Sequence, residues 1–206
     1  AAAPHGIPMR VVAGLGNPWP APRMSRHNLG ARMIELFSSD LGLTWSWHWG
    51  CFCWIARGNG NDYILAWPAT PYNASGLAVR RVLEQFGASS ADLLVVHDDL
   101  DLAPGQCRIK ESGSAGGNRG VQSVVGSLGT SRIRRLRLGI GRPAGNTRDR
   151  AATSAYVMSD LEEESVGAWY TSSVSSAIRD FLGLACDGGG VDGVQCLHDG
   201  GAASSS

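Results

Sequence analysis

The chain has 206 residues, of which 43% are hydrophobic, and its 18 basic and 18 acidic side chains give a formal net charge of zero. This hydrophobic content supports a full core and excludes a wholly disordered chain, and the length suits one domain. No apolar stretch approaches the roughly 18–20 residues that cross a bilayer, so we expect no membrane partner.

The zero net charge conceals an uneven distribution along the chain. Residues 121–150 carry seven arginines and one aspartate, whereas residues 151–206 carry one arginine and eight acidic side chains. Such a separation can mark one face that receives a polyanion, or it can be a basic strand and an acidic amphipathic helix that both face solvent. Charge alone favours the second interpretation.

The first half of the chain alternates predicted strands and helices. The apolar run at residues 9–15 predicts a buried strand that ends in a Gly-Asn-Pro turn, and residues 28–41 predict a helix with Asn28 as its cap. Every second position from Trp45 to Cys53 is a tryptophan or a cysteine, which predicts one strand with a buried face, and residues 62–67 are its predicted hairpin partner. Residues 74–86 predict a second helix.

The second half continues in the same way. The run LLVV at residues 93–96 predicts a central strand covered on both faces, which leads directly into His97 and Asp98. Strands are predicted over residues 106–110 and 133–141, the latter half-exposed, with a glycine-rich loop and a helix between them. Ser159 and Glu162 form a predicted capping box that opens an acidic helix reaching Leu182.

These elements predict an α/β fold with a mixed, largely parallel central sheet flanked by helices on both faces. We expect one domain over residues 9–185, a disordered N-terminal segment at residues 1–8 and a flexible Gly/Ser-rich tail at residues 186–206. The five cysteines are odd in number and lack metal-ligand spacing, so free thiols in a reducing compartment are expected.

Two side chains are candidates for acid–base chemistry, because ligands of open α/β sheets bind at loops beyond the carboxyl ends of the strands. His27 lies in such a loop, where a histidine can act as a general base. Asp98 follows the 93–96 strand, where a carboxylate can hold the imidazole in one tautomer. Taken alone, such a histidine is more often a surface residue and such an aspartate a turn residue.

Amide side chains occupy three of the same loops, namely Asn17, Asn73 and Asn118. An amide suits holding a carbonyl or a water, although it more commonly closes its own turn or caps a helix. Asn118 and Arg119 can present donors to a phosphate or peptide, or they can form a solvent-exposed loop tip. The sequence contains neither a complete dinucleotide-binding glycine motif nor a GxxxxGK[ST] phosphate loop, which argues against nucleotide-dependent enzymes.

Six segments together resemble the bacterial-type peptidyl-tRNA hydrolase family, in the family's order and at its spacings. They are VAGLGNP at residues 12–18, SRHNLG at 25–30, PYNASG at 71–76, VVHDDLD at 95–101, GGNRG at 116–120 and LRLGIGRP at 136–143. Each segment alone is a modest signal, whereas six in register are highly specific.

The resemblance implies hydrolysis of the ester between a peptide and the 3′ end of a tRNA that left the ribosome prematurely. It makes His27 the general base and Asp98 the carboxylate that orients it, with peptidyl-tRNA as the partner and with no metal and no cofactor. It implies substrate contacts at Asn17, Tyr72, Asn73, Asn118 and Arg119, and Arg135, Arg137 and Arg142 are candidates for contact with tRNA phosphate. A monomer in the cytoplasm is expected, with the mitochondrion or chloroplast as the alternative.

Three cleft positions depart from the family pattern. Tyr72 stands where the family commonly has Met, Asn118-Arg119 where it usually has His-Asn, and Pro22 where it commonly has Tyr. These departures leave open an alternative function, because a plant organelle relative acts in group II intron splicing as a non-catalytic RNA- and protein-binding scaffold. Since His27 and Asp98 are both present, the sequence favours a working hydrolase with an altered cleft.

Overall fold

The computed structural model describes residues 9–18, 20–21, 23–58, 60, 62–146, 149–161, 166, 173–185 and 197–198. In this part of the chain the strands are β1 Arg10–Gly14, β2 Trp45–His48, β3 Cys53–Arg57, β4 Tyr63–Pro68, β5 Leu93–Asp99, β6 Cys107–Lys110, β7 Arg134–Gly139 and β8 Leu197–His198. The helices are α1 Leu29–Asp40, α2 Ser75–Phe86, α3 Arg119–Leu128, α4 Arg150–Met158 and α5 Ser175–Leu182.

The strands form one mixed sheet in the order β2-β3-β4-β1-β5-β7-β6-β8. The central strands β4, β1, β5 and β7 run parallel, and β2 and β3 are antiparallel to their neighbours. Strand β6 is antiparallel to β7 and parallel to β8. The parallel strands therefore end at one edge of the sheet, and the loops that follow β1, β4 and β5 meet there. The predicted fold class is confirmed.

Helices cover both faces of the sheet because the central strands are apolar on both sides. On one face Val12 and Val96 pack in a core with Phe37 of α1 and Ile178 of α5. On the other face Val11 and Val95 pack with residues of α2 and α3. This arrangement buries every residue of β1 except Arg10 and every residue of β5 except Asp99, so the residues at the carboxyl ends of both strands are held on a rigid support.

A close approach between α1 and the sheet places the start of this helix beside β5. A Cβ atom on Gly30 would lie 2.2 Å from the carbonyl oxygen of Val96, and one on Gly14 would lie 2.5 Å from the carbonyl oxygen of Gly30. Only glycine fits at these contacts. They bring the turn that precedes α1, with His27, against the carboxyl end of β5.

The structure corrects several element predictions. The tryptophan- and cysteine-rich strand is two strands, because the chain turns between His48 and Cys53 with Phe52 at a φ of 51°. The predicted cap Asn28 makes no side-chain capping bond to α1. Helix α4 was not predicted. Ser159, which was predicted to cap the start of an acidic helix, instead follows the last residue of α4 in an extended conformation.

The prediction of free cysteines is confirmed only in part. Cys51 and Cys53 are buried free thiols, as predicted. Cys107 on β6 is disulfide-bonded, so the prediction of free thiols is wrong for this residue. Strand β8, in the segment predicted to be a flexible tail, pairs with β6; residues 1–8, 186–196 and 199–206 lie outside the described residues.

Arg135 is a structural residue rather than a surface cation. Strand β7 lies between β5 and β6, and the Arg135 side chain is only 2% exposed. Its guanidinium donates to the carbonyl oxygens of Gly113 and Ser114, at 2.8 and 2.7 Å, and so holds the glycine loop against the sheet. The prediction of a phosphate contact for Arg135 is wrong, because this guanidinium is buried among backbone carbonyls.

We expect Arg135→Met to lower the free energy of unfolding by about 2–3 kcal/mol, because the buried guanidinium and its two charge-assisted hydrogen bonds to the glycine loop are lost. Denaturant unfolding measures this loss. The matched control is Arg132→Met at an exposed position, which should change the free energy of unfolding by less than about 0.5 kcal/mol. Equal stability of the two variants would contradict a structural role for Arg135.

Candidate active site

A cleft of about 770 Å³ lies at the edge of the sheet where the parallel strands end. The loops after β1, β4, β5 and β6 contribute to it, together with helix α4. Its lining residues are Asn17, His27, Tyr72, Asn73, Asp98, Asp99, Leu100, Asp101, Gly116, Gly117, Asn118, Arg119, Arg142, Arg150, Thr153, Ser154, Val157 and Met158.

His27 and Asp98 form a hydrogen-bonded pair in this cleft. The Nδ1 atom of His27 lies 2.9 Å from Oδ2 of Asp98, although 71 positions of sequence separate the two residues. The Asp98 side chain is 2% exposed and that of His27 is 18% exposed. Because the carboxylate binds Nδ1–H, a neutral His27 ring carries its lone pair on Nε2, which is the arrangement that a general base requires.

The surroundings of Asp98 keep it ionised despite its burial. Burial raises the pKa of this carboxyl, but the neighbouring His27 ring and the hydrogen bonds from His27 and Tyr72 outweigh that effect and hold the pKa below its usual value. Burial also lowers the pKa of His97, which is fully enclosed and therefore neutral. The dyad thus combines a fixed negative charge with one accessible imidazole.

Tyr72 is in direct contact with both members of the dyad. Its ring stacks on the His27 ring with centroids 3.7 Å apart and an interplanar angle of 15°. Its hydroxyl donates to Oδ1 of Asp98 at 2.5 Å. Burial, followed by the charge of Asp98, raises the pKa of Tyr72 well above its usual value, so the hydroxyl remains a donor.

Asn17 and Asn28 are joined in the loop after β1. The Oδ1 atom of Asn17 accepts from the backbone N–H of Tyr72 at 2.9 Å, and the backbone N–H of Asn17 donates to Oδ1 of Asn28 at 2.5 Å. The Nδ2 end of Asn17 lies 3.8 Å from the sulfur of Met158, on the cleft side. Asn17 therefore has an amide donor directed towards the cleft.

The remaining predicted substrate-binding residues also lie at the cleft. Asn73 and Arg119 are exposed on its rim, whereas Asn118 is half-buried and caps α3 by accepting from the backbone N–H of Val121 at 3.0 Å. The structure brings all five predicted contacts together around the dyad, although Tyr72 is buried rather than exposed. Pro22 lies outside the described residues.

The two remaining arginines predicted to contact phosphate are paired with acids near the cleft. The Nε atom of Arg137 donates to Oδ2 of Asp99 at 2.8 Å, and Arg142 binds Oδ1 of Asp101 at 2.5 Å. The two acids belong to β5 and the loop that follows it. The acids partly neutralise both arginines, so a phosphate contact at either one stays a prediction.

Helix α4 supplies the part of the cleft that sequence reasoning missed. Arg150, Thr153, Ser154, Val157 and Met158 form one wall. A usable signal was present in the sequence, because Asp149 precedes an alanine-rich stretch and its carboxylate accepts from the backbone N–H of Ala152 at 2.7 Å. Aspartate followed by good helix formers is typical of a helix N-terminus.

In the part of the chain that the structure describes, no three or more His, Cys, Asp or Glu side chains are placed to hold a metal ion. Among the same residues, no helix has the length and apolar character needed to span a bilayer.

Comparison with known proteins identifies the family to which this cleft belongs. A family model described as peptidyl-tRNA hydrolase matches residues 11–190. The chain belongs to the peptidyl-tRNA hydrolase family. The peptidyl-tRNA hydrolase of Moorella thermoacetica is 42% identical over 137 residues, which cover 65% of this chain and 70% of that protein. The peptidyl-tRNA hydrolase of an Exiguobacterium species is 40% identical over 136 residues, covering 66% and 74%.

Solved structures of peptidyl-tRNA hydrolases have the same fold. A crystal structure of a mutant of the Acinetobacter baumannii enzyme matches with a TM-score of 0.75 and 29% identity, over 88% of this chain and 91% of that one. Another crystal structure of the enzyme from this organism matches with a TM-score of 0.71 and 28% identity, over 81% and 84%. The peptidyl-tRNA hydrolase fold therefore extends over most of the chain.

Proposed function

We propose that this protein hydrolyses the ester bond between the peptide and the tRNA in peptidyl-tRNA, with His27 as the general base and Asp98 as its orienting carboxylate. The observation that carries the proposal is the 2.9 Å contact between His27 Nδ1 and Asp98 Oδ2 inside a cleft. Membership of the peptidyl-tRNA hydrolase family supports the substrate class.

The proposed reaction follows from this geometry. A water molecule gives a proton to Nε2 of His27 and attacks the ester carbonyl carbon, while Asp98 stabilises the imidazolium that forms. The amide donor of Asn17, and that of the exposed Asn73 on the rim, stabilise the negative carbonyl oxygen. The imidazolium then returns its proton to the 3′ oxygen of the tRNA as the ester C–O bond breaks.

The oligomeric state and the location belong to the same proposal. The proposed active species is a monomer. Peptidyl-tRNA forms wherever ribosomes work, so the proposed place of action is the cytoplasm, or alternatively a ribosome-containing organelle. There the protein would recycle tRNA released prematurely from ribosomes.

Turnover of an N-acylated aminoacyl-tRNA tests the proposed function. We expect catalytic release of the N-acyl amino acid by the wild-type protein, measured alongside tRNA binding by filter retention. Binding without release would contradict the hydrolase and would instead match the non-catalytic scaffold considered from the sequence.

Arg119 is the exposed cleft arginine for which we expect the clearest contribution to tRNA binding. In Arg119→Met the slope of log binding constant against log salt concentration should become shallower by about 0.7–0.9, because one phosphate contact is lost. Arg80→Met is the control, since Arg80 is an exposed arginine of α2 that does not line the cleft, and its slope should equal that of the wild type. Equal slopes for the Arg119 variant and the wild type would contradict a phosphate contact at Arg119.

A further inference from the structure

Two of the residues that depart from the family pattern, Tyr72 and Asn118, are hydrogen-bonded to each other and to Asp98. We propose that Tyr72 is a positioning residue of the dyad, that its hydroxyl and ring together fix the geometry of Asp98 and His27, and that Asn118 orients this hydroxyl. This inference rests on the proposed function, because it assigns the two residues a role in that reaction.

The ring of Tyr72 is buried and is held in one position by its neighbours. It is 2% exposed, and one face stacks on His27. A Cβ atom on Gly120 would lie 2.4 Å from Cε1 of Tyr72, so the ring occupies the space that the glycine leaves free. Because Tyr72 cannot rotate away, the stacked His27 ring is confined to the plane in which its Nδ1 meets Asp98.

The hydroxyl of Tyr72 has a complete set of hydrogen bonds. It donates its single proton to Oδ1 of Asp98 at 2.5 Å and accepts from Nδ2 of Asn118 at 2.9 Å. Both oxygens of Asp98 are then bound, Oδ1 by Tyr72 and Oδ2 by His27. A carboxylate held at both oxygens cannot turn about its last bond, so the acceptor for His27 stays in place.

Asn118 is itself held in one orientation. Its Oδ1 accepts from the backbone N–H of Val121, and its Nδ2 also lies 3.1 Å from the backbone oxygen of Asp98. The amide must therefore present its N–H groups to Tyr72. A continuous chain of hydrogen bonds runs from the first turn of α3 through Asn118, Tyr72 and Asp98 to His27.

This chain of bonds has a chemical consequence for the base. The proton that Tyr72 shares with Asp98 withdraws electron density from the carboxylate, which then stabilises the imidazolium of His27 less than it otherwise would. The bond from Asn118 makes the phenol a better donor and strengthens the effect. Removing the hydroxyl should therefore make His27 more basic as well as less well positioned.

Other charged and titratable groups lie on the elements that carry or surround the dyad, and the substitutions leave all of them in place. They come from the turn before α1, from β5 and its loop, and from α3, β7, the loop after β7, and α4. In chain order they are Arg26, His97, Asp99, Asp101, Arg119, Arg137, Arg142 and Arg150. Their contributions are common to the wild type and the variants.

The first test is titration of the His27 ring by NMR in the wild type and in Tyr72→Phe, which keeps the stacked ring and removes only the hydroxyl. We expect the titration midpoint to rise, because the carboxylate that faces the ring loses a hydrogen-bond donor. The matched control is Tyr63→Phe. Tyr63 is a buried tyrosine at the first residue of β4, and its variant should leave the midpoint unchanged. An unchanged midpoint in Tyr72→Phe would overturn the proposal.

Asn118→Ser is the second variant, and it remains informative should the Phe variant fail to fold. Serine can still cap α3 but is too short to reach Tyr72. The His27 midpoint should rise in the same direction and by less than in Tyr72→Phe. A fall, or no change, would overturn the role of Asn118. These titrations need no turnover, so an inactive wild type would defeat the proposed function without affecting this test.

Kinetics separate positioning from substrate binding. In Tyr72→Phe we expect kcat to fall about tenfold or more with KM little changed, because the lost bond acts on the dyad rather than on the substrate. The double variant with Asn118→Ser should lose no more than about twofold beyond Tyr72→Phe alone. A raised KM with unchanged kcat would make Tyr72 a substrate contact instead, and losses that multiply in the double variant would show that the two residues act independently.

Discussion

His27→Ala is expected to lower kcat/KM for an N-acylated aminoacyl-tRNA by about 10²–10⁴-fold, the usual contribution of a positioned general base. The variant removes the accessible imidazole found among the described residues of the cleft, while Asp98 and Tyr72 remain joined by their hydrogen bond. Binding of tRNA should persist, because the phosphate contacts proposed for the arginines do not depend on this ring. Steady-state kinetics and filter binding measure the two effects on the same preparation.

His48→Ala is the matched control for this substitution. His48 lies on β2, at the far edge of the sheet from β5, and packs near the Phe86 ring with centroids 5.7 Å apart. Its variant should keep the wild-type kcat/KM. Hydrolysis that survives His27→Ala at the wild-type rate would show that another group activates the water.

Asp98→Asn is expected to have the second large effect on kcat. The amide nearly preserves the shape of the carboxylate but removes the charge, so it neither stabilises the imidazolium nor selects the tautomer with the proton on Nδ1. We expect kcat to fall by up to about 10⁴-fold, because a neutral partner can hold the ring with its lone pair in the wrong place. The measurement is kcat under saturating substrate, since substrate binding should change little.

Asp180→Asn, at an exposed position on α5, is the control for loss of one negative charge and should retain full activity. Thermal unfolding should show that Asp98→Asn is folded, since Tyr72 can still donate to the oxygen of the new amide. Activity of Asp98→Asn within a factor of a few of the wild type would mean that Asp98 does not orient the base.

The strands, most of the helices and the chemistry of the dyad could be predicted from the sequence, but the distance between His27 and Asp98 could not. The apolar run at 93–96 is buried on both faces, as its continuous hydrophobicity indicated. That His27 reaches Asp98 depends on the missing Cβ of Gly30, which lets α1 pack against the carbonyl of Val96. A close backbone approach of this kind leaves no periodic signal, and the order of motifs shared with the family supplied the pairing instead.

Arg135 shows why the charge pattern of the sequence led to a wrong prediction of a phosphate contact. Alternation of Arg and Leu over residues 133–141 indicated a half-exposed strand, but β6 covers its outer edge and the glycine loop offers carbonyl groups that need donors. Those carbonyls belong to residues that lie over 20 positions away, so sequence spacing does not reveal them. For the same reason the separate departures at Tyr72 and Asn118 gave no sign that they bond to each other.

The most direct test of the central claim, that a water molecule attacks the ester carbonyl carbon, is a single turnover in water labelled with heavy oxygen. With protein in excess over N-acylated aminoacyl-tRNA, the label should enter the new carboxyl group of the released N-acyl amino acid and should be absent from the 3′ hydroxyl of the tRNA. Unlabelled product would show that an oxygen of the protein made the attack, and label in the tRNA hydroxyl would show that the other C–O bond broke. Either result would contradict the mechanism.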